Sequence, residues 1–288
     1  MYSHDYEHQN VIKVYPGIYA SYNYYTQNQK IFHHGANPLT MEVNHCHYGR
    51  TGWNFSNGTS IYMGEGDVTL HSAALCADSI MKFPLGSYQG ITFVYDFDYL
   101  FQNTPDIIQS ADISLHKIVE MFCKTDSSFT YNPCEQIEQI FSPLYHLPEG
   151  LQLPYLKLKS QELLLFLSNQ TQNLPTSPVY HSDITDTIRE VHSLLTEHLE
   201  TRYTIEELSS KFLINTSTLK DAFKAVYGAP IATYMKEYRL RHAARLLRHT
   251  EDGILDIAAS VGYKTQSKFT KAFKEVMGIL PSEYRKQR

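Results

Sequence analysis

The densest run of chemically capable side chains is His45-Cys46-His47-Tyr48-Gly49-Arg50-Thr51-Gly52-Trp53. Alternate residues of a strand share a face, so His45 and His47 would project together. With Arg50, the only tryptophan Trp53, and Tyr62 or His71 from neighbouring strands, they would line a pocket. Imidazoles supply hydrogen bonds, a guanidinium holds an anion and aromatic rings make walls, a set suited to a small polar effector. An H-x-H pair with a later histidine also suits a metal-dependent enzyme. The glutamate that the resemblance to such metal sites implies a few residues on is missing: the run continues Tyr-Gly-Arg-Thr-Gly-Trp. No metal ligand, catalytic residue or cofactor is therefore assigned.

Charge offers a second chemistry. The 288 residues carry 25 Lys and Arg against 30 Asp and Glu, a net of −5. Residues 209–288 hold 15 of the basic groups against 7 acidic ones, whereas residues 1–208 hold 10 against 23. An acidic front and a basic tail predict that only the tail meets a polyanion. Four scattered cysteines (Cys46, Cys76, Cys123, Cys134) with no C-x-x-C spacing predict reduced, mostly buried thiols, with neither a disulfide framework nor a zinc ribbon. The chain opens without a basic-plus-apolar leader, and its longest apolar run, 163–167, is far short of the ~20 residues a membrane helix needs. The expectation is a soluble cytoplasmic protein with no membrane partner. At 42% hydrophobic and 19% charged, the chain has enough apolar residues for two cores.

The elements that position these groups change type along the chain. Residues 10–100 alternate apolar with polar and are cut by Pro16-Gly17, Ser56-Asn57-Gly58 and Gly64-Glu65-Gly66-Asp67. Seven or eight short strands fit, with a hairpin at Asn57-Gly58, enough for a small antiparallel barrel or sandwich. Fifteen of the 22 tyrosines precede residue 178 and read as strand surface and core. Helices follow: Thr104-Pro105 and Asn132-Pro133 look like starts, and Ile137, Ile140, Phe141 and Leu144 share one face. A third helix at about 154–169 has an apolar arc too wide for one contact, so part of it is expected to pack on the barrel and part on a second subunit. Residues 169–181, polar with two prolines, read as a linker between a sensing and dimerising domain, 1–177, and a helical domain, 182–288.

The helical domain opens with Ser182 or Asp183 capping the stripe Ile184, Ile188, Val191, Leu195. Residues 204–223 and 254–273 then repeat one pattern fifty residues apart. In each, a short helix, a tight turn and a second helix anchored by Leu219/Phe223 or Phe269/Phe273 make a helix-turn-helix. In the second copy Ala258 allows close helix crossing and Gly262 suits a left-handed turn. The first copy has Ser209 and Leu213 there, so Leu213 must be strained or sit in a differently shaped turn. A long helix over 231–248, with Leu240, Ala243 and Leu247 inward, fixes the distance between the two copies.

These residues carry a resemblance. Tyr234-x4-Arg239-Leu240-x2-Ala243-x2-Leu246-Leu247, Ile257-Ala258-x3-Gly262-Tyr263, Phe269, Phe273-Lys274, Gly278 and Pro281-Ser-Glu-Tyr284-Arg285 resemble the DNA-binding domain of the AraC/XylS family of bacterial transcription regulators. The resemblance implies that the second helix of each unit enters the major groove, the two insertions lying about 34 Å apart on one face of the duplex. It places Thr216, Ser217, Lys220 and Asp221 towards the bases in the first unit, and Thr265, Gln266, Ser267 and Lys271 in the second. Gln266 can pair with adenine and Lys271 with guanine, each discriminating by about 1–3 kcal/mol, so the second unit is expected to carry more of the sequence reading. Lys224, Lys264, Lys268 and Lys274 are expected on phosphates. Arg239 is expected to hold the two units together rather than to touch DNA.

The implied whole is an α+β protein of two domains: a cupin-like antiparallel β-barrel followed by helices, then an all-α domain with two helix-turn-helix units joined by a long helix. Its implied partners are promoter DNA, a small-molecule effector in the barrel, RNA polymerase and a second copy of the chain through the helix at 154–169. Activation is expected over repression. Two other readings of the barrel remain: a metal-dependent cupin enzyme, and a protein-binding or dimerisation module without a ligand. The scattered cysteines do not fit the zinc domain of alkylation-repair proteins that share this type of tail.

Overall fold

A computed structural model describes residues 11–170 and 174–287. The chain's first ten residues and three positions of the expected linker, 171–173, lie outside the described residues. The chain divides into two compact units between Ser182 and Asp183.

In the first unit the strands are β1 (Val11–Tyr15), β2 (Ile18–Tyr25), β3 (Gln29–His33), β4 (Thr40–Gly49), β5 (Thr51–Asn54), β6 (Thr59–Met63), β7 (Val68–Ser72), β8 (Asp78–Lys82), β9 (Tyr88–Asp96), β10 (Phe129–Tyr131) and β11 (Tyr180–His181). All named pairings are antiparallel. They form two sheets, ordered β1-β2-β9-β4-β7-β10 and β11-β6-β5-β8-β3. The ladders bear out an antiparallel β-rich unit and do not show the expected cupin-like barrel to be closed. At Arg50 the chain leaves one sheet for the other, and among the described residues each sheet keeps two edge strands. The hairpin expected at Asn57-Gly58 joins β5 to β6, closed by bonds from the Phe55 N–H to Thr59 O (2.8 Å) and from the Gly58 N–H to Phe55 O (3.1 Å).

The six-stranded sheet has two unlike faces. Val43, Val68, Leu70, Ile91, Phe93 and Tyr95 pack with Ile137, Phe141, Leu156, Leu163 and Leu167 of the helices in one core. The opposite face, which carries Ser21, Asn23, Glu42, Asn44 and Thr92, lines an interior shared with Trp53 and Met81 of the other sheet. That second sheet contributes Trp53, Phe55, Ile61, Met63, Met81 and Phe83 to its own buried cluster. The interior is thus polar on one wall and apolar on the other.

The helices of this unit are α1 (Ala73–Cys76), α2 (Phe97–Leu100), α3 (Asp106–Ser110), α4 (Leu115–Phe122), α5 (Glu135–Phe141) and α6 (Gln152–Ser168). Two expected starts shift. Thr104 donates to Leu100 O at 2.9 Å, closing the preceding turn, and Pro105 holds the cap position of α3. Cys134, not Asn132, holds that of α5. Helix α6 buries Leu156, Ser160, Leu163, Leu164 and Leu167, while Leu158 stays 63% exposed. The segment expected as a linker is hydrogen-bonded to both sheets. Thr130 N–H donates to Pro175 O and Ser177 N–H to Ser128 O, and Tyr180–His181 pairs with Thr59 and Ser60 of β6. Edge strands offer unpaired backbone groups, and a polar segment without periodicity can still satisfy them.

The second unit is helical: α7 (Ser182–Glu197), α8 (Ile205–Phe212), α9 (Thr216–Tyr227), α10 (Ile231–His249), α11 (Ile254–Ser260), α12 (Gln266–Met277) and α13 (Pro281–Arg285). In α7 the buried residues are Thr185, Ile188, Val191 and Leu195, so Thr185 takes the inward place expected for Ile184. A core of Leu240, Ala243, Leu247, Ile257, Ala258, Phe269 and Phe273 gathers α11 and α12 against α10. No helix among the described residues is long and apolar enough to cross a membrane.

Candidate nucleic-acid interface and the front-unit interior

Both helix-turn-helix units form. Thr204 and Glu207 build a reciprocal capping box at α8, with Glu207 Oε2 accepting from the Thr204 N–H at 2.7 Å and Thr204 Oγ1 from the Glu207 N–H at 3.1 Å. Each satisfies a donor that the first helical turn leaves orphaned. At the turn, the Ile214 N–H reaches back to Ser209 O at 3.2 Å, and Tyr263 to Ala258 O at 2.9 Å, so the two turns close in the same way. Leu213 (φ 52°) and Gly262 (φ 78°) are both left-handed there, which resolves the expectation for Leu213 in favour of strain.

The second helix of each unit presents a polar face. On α9, Ser217, Lys220, Asp221 and Lys224 are exposed at helical spacing, with Leu219 and Phe223 buried behind them. Thr216 is half-buried in the first turn. Ser217 Oγ donates to Asp221 Oδ2 at 3.4 Å, so part of this face is spent within the helix. On α12, Gln266, Ser267, Thr270, Lys271, Lys274 and Leu280 of the following turn line a shallow groove. Thr270 was not among the expected residues; its i+4 spacing from Gln266 is the signal that finds it. Thr265 caps the helix, accepting from the Lys268 N–H at 3.4 Å. Lys264 and Lys268 are exposed beside it.

Arg239 is 7% exposed and donates from Nε to Leu199 O (2.9 Å) and from Nη2 to Thr201 O (2.8 Å). Burial and the neighbouring Arg202 lower its pKa. It ties α10 to the segment between α7 and α8. In the same unit His192 stacks on Tyr227 (4.2 Å) and meets Tyr234 Oη at 2.9 Å. Burial pushes its pKa down to about 4.

The six residues expected to share one pocket in the front unit do not. His45 and His47 lie on the helix-facing side of β4. His45 stacks on Phe141 (4.4 Å) with Nδ1 at 2.8 Å from Tyr145 Oη, and His47 stacks on Tyr145 at 3.9 Å. Arg50, half-buried, lies against Gly64 beside Asp67. Tyr62 lies on the face opposite Ile61 and Met63, its ring over Gly52, where a β-carbon would collide with it. Only Trp53 and His71 meet in the interior, edge to face at 5.2 Å. Strand alternation is the reason. The faces of β4 run Val43, His45, His47 and Glu42, Asn44, Cys46, and the second set looks inward. The H-x-H pair therefore forms no metal site with His71.

The helix-turn-helix domain family matches residues 208–287. A putative AraC-like transcription regulator of Streptomyces antibioticus is 39% identical over 84 residues, 29% of this chain and 28% of that protein. The lactose operon transcription activator of Staphylococcus xylosus is 28% identical over 171 residues, 59% of this chain and 54% of that one. The C-terminal unit is an AraC-type helix-turn-helix domain. Among solved structures, the C-terminal domain of AraT from Geobacillus stearothermophilus is similar at 31% identity, covering 35% of this chain and 85% of that one, with a TM-score of 0.34. The DNA-binding domain of AdpA in complex with a target DNA is 22% identical over 35% of this chain and 91% of that one, TM-score 0.34. The chain spans between about a quarter and a half of the length of these curated relatives.

Proposed function

We propose that the chain is a DNA-binding transcription regulator whose AraC-type domain reads double-stranded promoter DNA and whose front unit senses a small effector. The observation that carries this is the pair of exposed polar helix faces, Ser217/Lys220/Asp221/Lys224 and Gln266/Ser267/Lys271/Lys274 with half-buried Thr270 among the latter, each on the second helix of a helix-turn-helix and linked through α10. Lys224 and Lys274 sit in the last turn of their helices, which supports their reading as phosphate contacts, and the exposure of Lys271 one turn earlier in α12 supports its reading as a guanine contact. Arg239, committed to two backbone carbonyls, holds the frame instead.

In the front unit, the two sheets around a partly polar interior support sensing. The half-exposed apolar side of α6, with Leu158 outermost, supports pairing with a second copy. Activation of transcription is the reading that the Staphylococcus relative's name favours, and RNA polymerase is the partner that activation would engage. An effector acts on DNA binding only through its difference in affinity for two states, about 1–3 kcal/mol in typical couplings.

Selection of bound duplexes from a random DNA pool by the full chain tests the reading. The expected product is a site with two short conserved blocks about one helical turn apart. Absence of any enriched sequence would contradict it.

A further inference from the structure

Inside the front unit, four side chains that could ligate an ion converge from four separate segments. His34 follows β3, Glu42 lies on β4, His71 on β7 and Cys76 ends α1. His34 Nε2 is 3.4 Å from Cys76 Sγ and 3.6 Å from Glu42 Oε1. Glu42 and His71 are direct cross-strand partners, with Glu42 Oε2 3.8 Å from His71 Nε2. Among the described residues, His34, Glu42 and Cys76 form a group whose ligand atoms all lie within 4.8 Å of one another.

We infer that this interior binds a divalent transition-metal ion of the Zn2+ class through His34, Glu42 and Cys76, with His71 as the fourth ligand. Zinc bonds of about 2.0–2.1 Å to nitrogen or oxygen and 2.3 Å to sulfur, at tetrahedral angles, separate neighbouring ligand atoms by about 3.3–3.6 Å. The His34 separations lie close to that edge, and His71 Nε2, 3.8 Å from Glu42 Oε2, lies a few tenths of an ångström beyond it. The donor set selects the metal: thiolate with imidazole suits zinc, cobalt or iron, whereas magnesium and calcium prefer oxygen alone.

Two further observations point to an occupant. His71 is 0% exposed and neither ring nitrogen has a hydrogen-bond partner, a costly arrangement for a buried imidazole. Its ring is set by the edges of Trp53 (5.2 Å) and Phe55 (6.0 Å), so it is held in place without being satisfied. Beside the group lies a cavity of about 40 Å3, also lined by Asn23, Asn44 and Thr92. That is space for an ion and a water or two. The Asn23 side chain donates to Thr92 Oγ1 (2.8 Å), which donates to Asn44 Oδ1 (2.7 Å), leaving Asn44 Nδ2 without a partner.

The ion is then the effector class of the front unit. That role rests on the regulator reading, whereas the site does not. The test titrates metal-stripped full-length chain with Co2+. The expected result is one equivalent bound, with tetrahedral ligand-field bands and a thiolate-to-cobalt charge-transfer band. Cys76→Ser should remove the charge-transfer band while the chain still melts cooperatively, and Cys134→Ser, at an exposed thiol, should keep it. His71→Ala, which removes the fourth ligand, should weaken binding by at least the about 10–100-fold that loss of an outer-shell partner of a ligand costs. No saturable band, or a band indifferent to Cys76→Ser, would overturn the site. A Co2+ site that forms normally while affinity for the selected duplex is the same with and without Zn2+ would overturn the effector role. A chain that selects no duplex at all defeats the regulator reading and leaves the site standing.

Discussion

Leu213 and Gly262 occupy the same place in the two helix-turn-helix units and adopt the same left-handed backbone, yet only one of them is built for it. Leu213 is 94% exposed at φ 52°, so its side chain gives no packing in return for the strain. At Gly262 a β-carbon would lie 2.7 Å from Leu199 O. Leu213→Gly should stabilise the helical unit by about 0.5–1 kcal/mol, since relief of about 1–2 kcal/mol of left-handed strain exceeds glycine's extra unfolded-state entropy. Gly262→Ala should cost about 2 kcal/mol or more through strain and collision together. Urea melts of both variants check the opposite signs.

Arg239 is expected to matter for folding. Charge-assisted bonds of the kind it makes to Leu199 O and Thr201 O contribute about 1.5–3 kcal/mol each, so Arg239→Ala should lower stability by about 3 kcal/mol or more. A variant that melts like the parent but loses DNA affinity would show that Arg239 touches DNA.

His45 gives the front unit an acid limit. Burial first, then His47, push its pKa down to about 3, against an ordinary value of 6.5. The unfolded chain therefore takes up a proton that the folded chain refuses. Stability from this residue is full above about pH 6.5 and falls as pH drops, by up to about 1.4 kcal/mol per pH unit. His45→Phe, which keeps the stack on Phe141, should flatten the decline in melting temperature between pH 6.5 and 5. An unchanged slope would place the acid sensitivity elsewhere.

The division of reading between the two units is open to a direct comparison. Gln266 is exposed at the start of α12, whereas Ser217 is engaged with Asp221. Gln266→Ala should relax preference at one base pair by about 1–3 kcal/mol, and Ser217→Ala should change it less. Equal effects of the two variants across single-base changes in the selected duplex would contradict the expectation.

The helical unit was legible because its signals are local. Capping residues, the stripe through Leu240, Ala243 and Leu247, and the two turns at Leu213 and Gly262 all act within a few positions. The front-unit site was not. His45 and His47 stand out because they are close in sequence, but the pleat of β4 turns them towards Phe141 and Tyr145. The interior is built instead by His34, Glu42, His71 and Cys76: strand register pairs Glu42 with His71, and segments flanking the strands bring His34 to Cys76 across 42 positions. The segment before Ser182 reads as a linker for the same reason: its hydrogen bonds go to edge strands distant in sequence, and nothing in its composition records them.

The most direct test of the account is the salt dependence of affinity for the selected duplex, measured by fluorescence anisotropy for the full chain and for Lys271→Gln/Lys274→Gln. A steep fall with salt is expected, and removing one lysine from a phosphate should reduce the logarithmic slope by about 0.9. A slope near zero for the parent chain, or one that the double variant leaves unchanged, would contradict the placement of α12 on DNA.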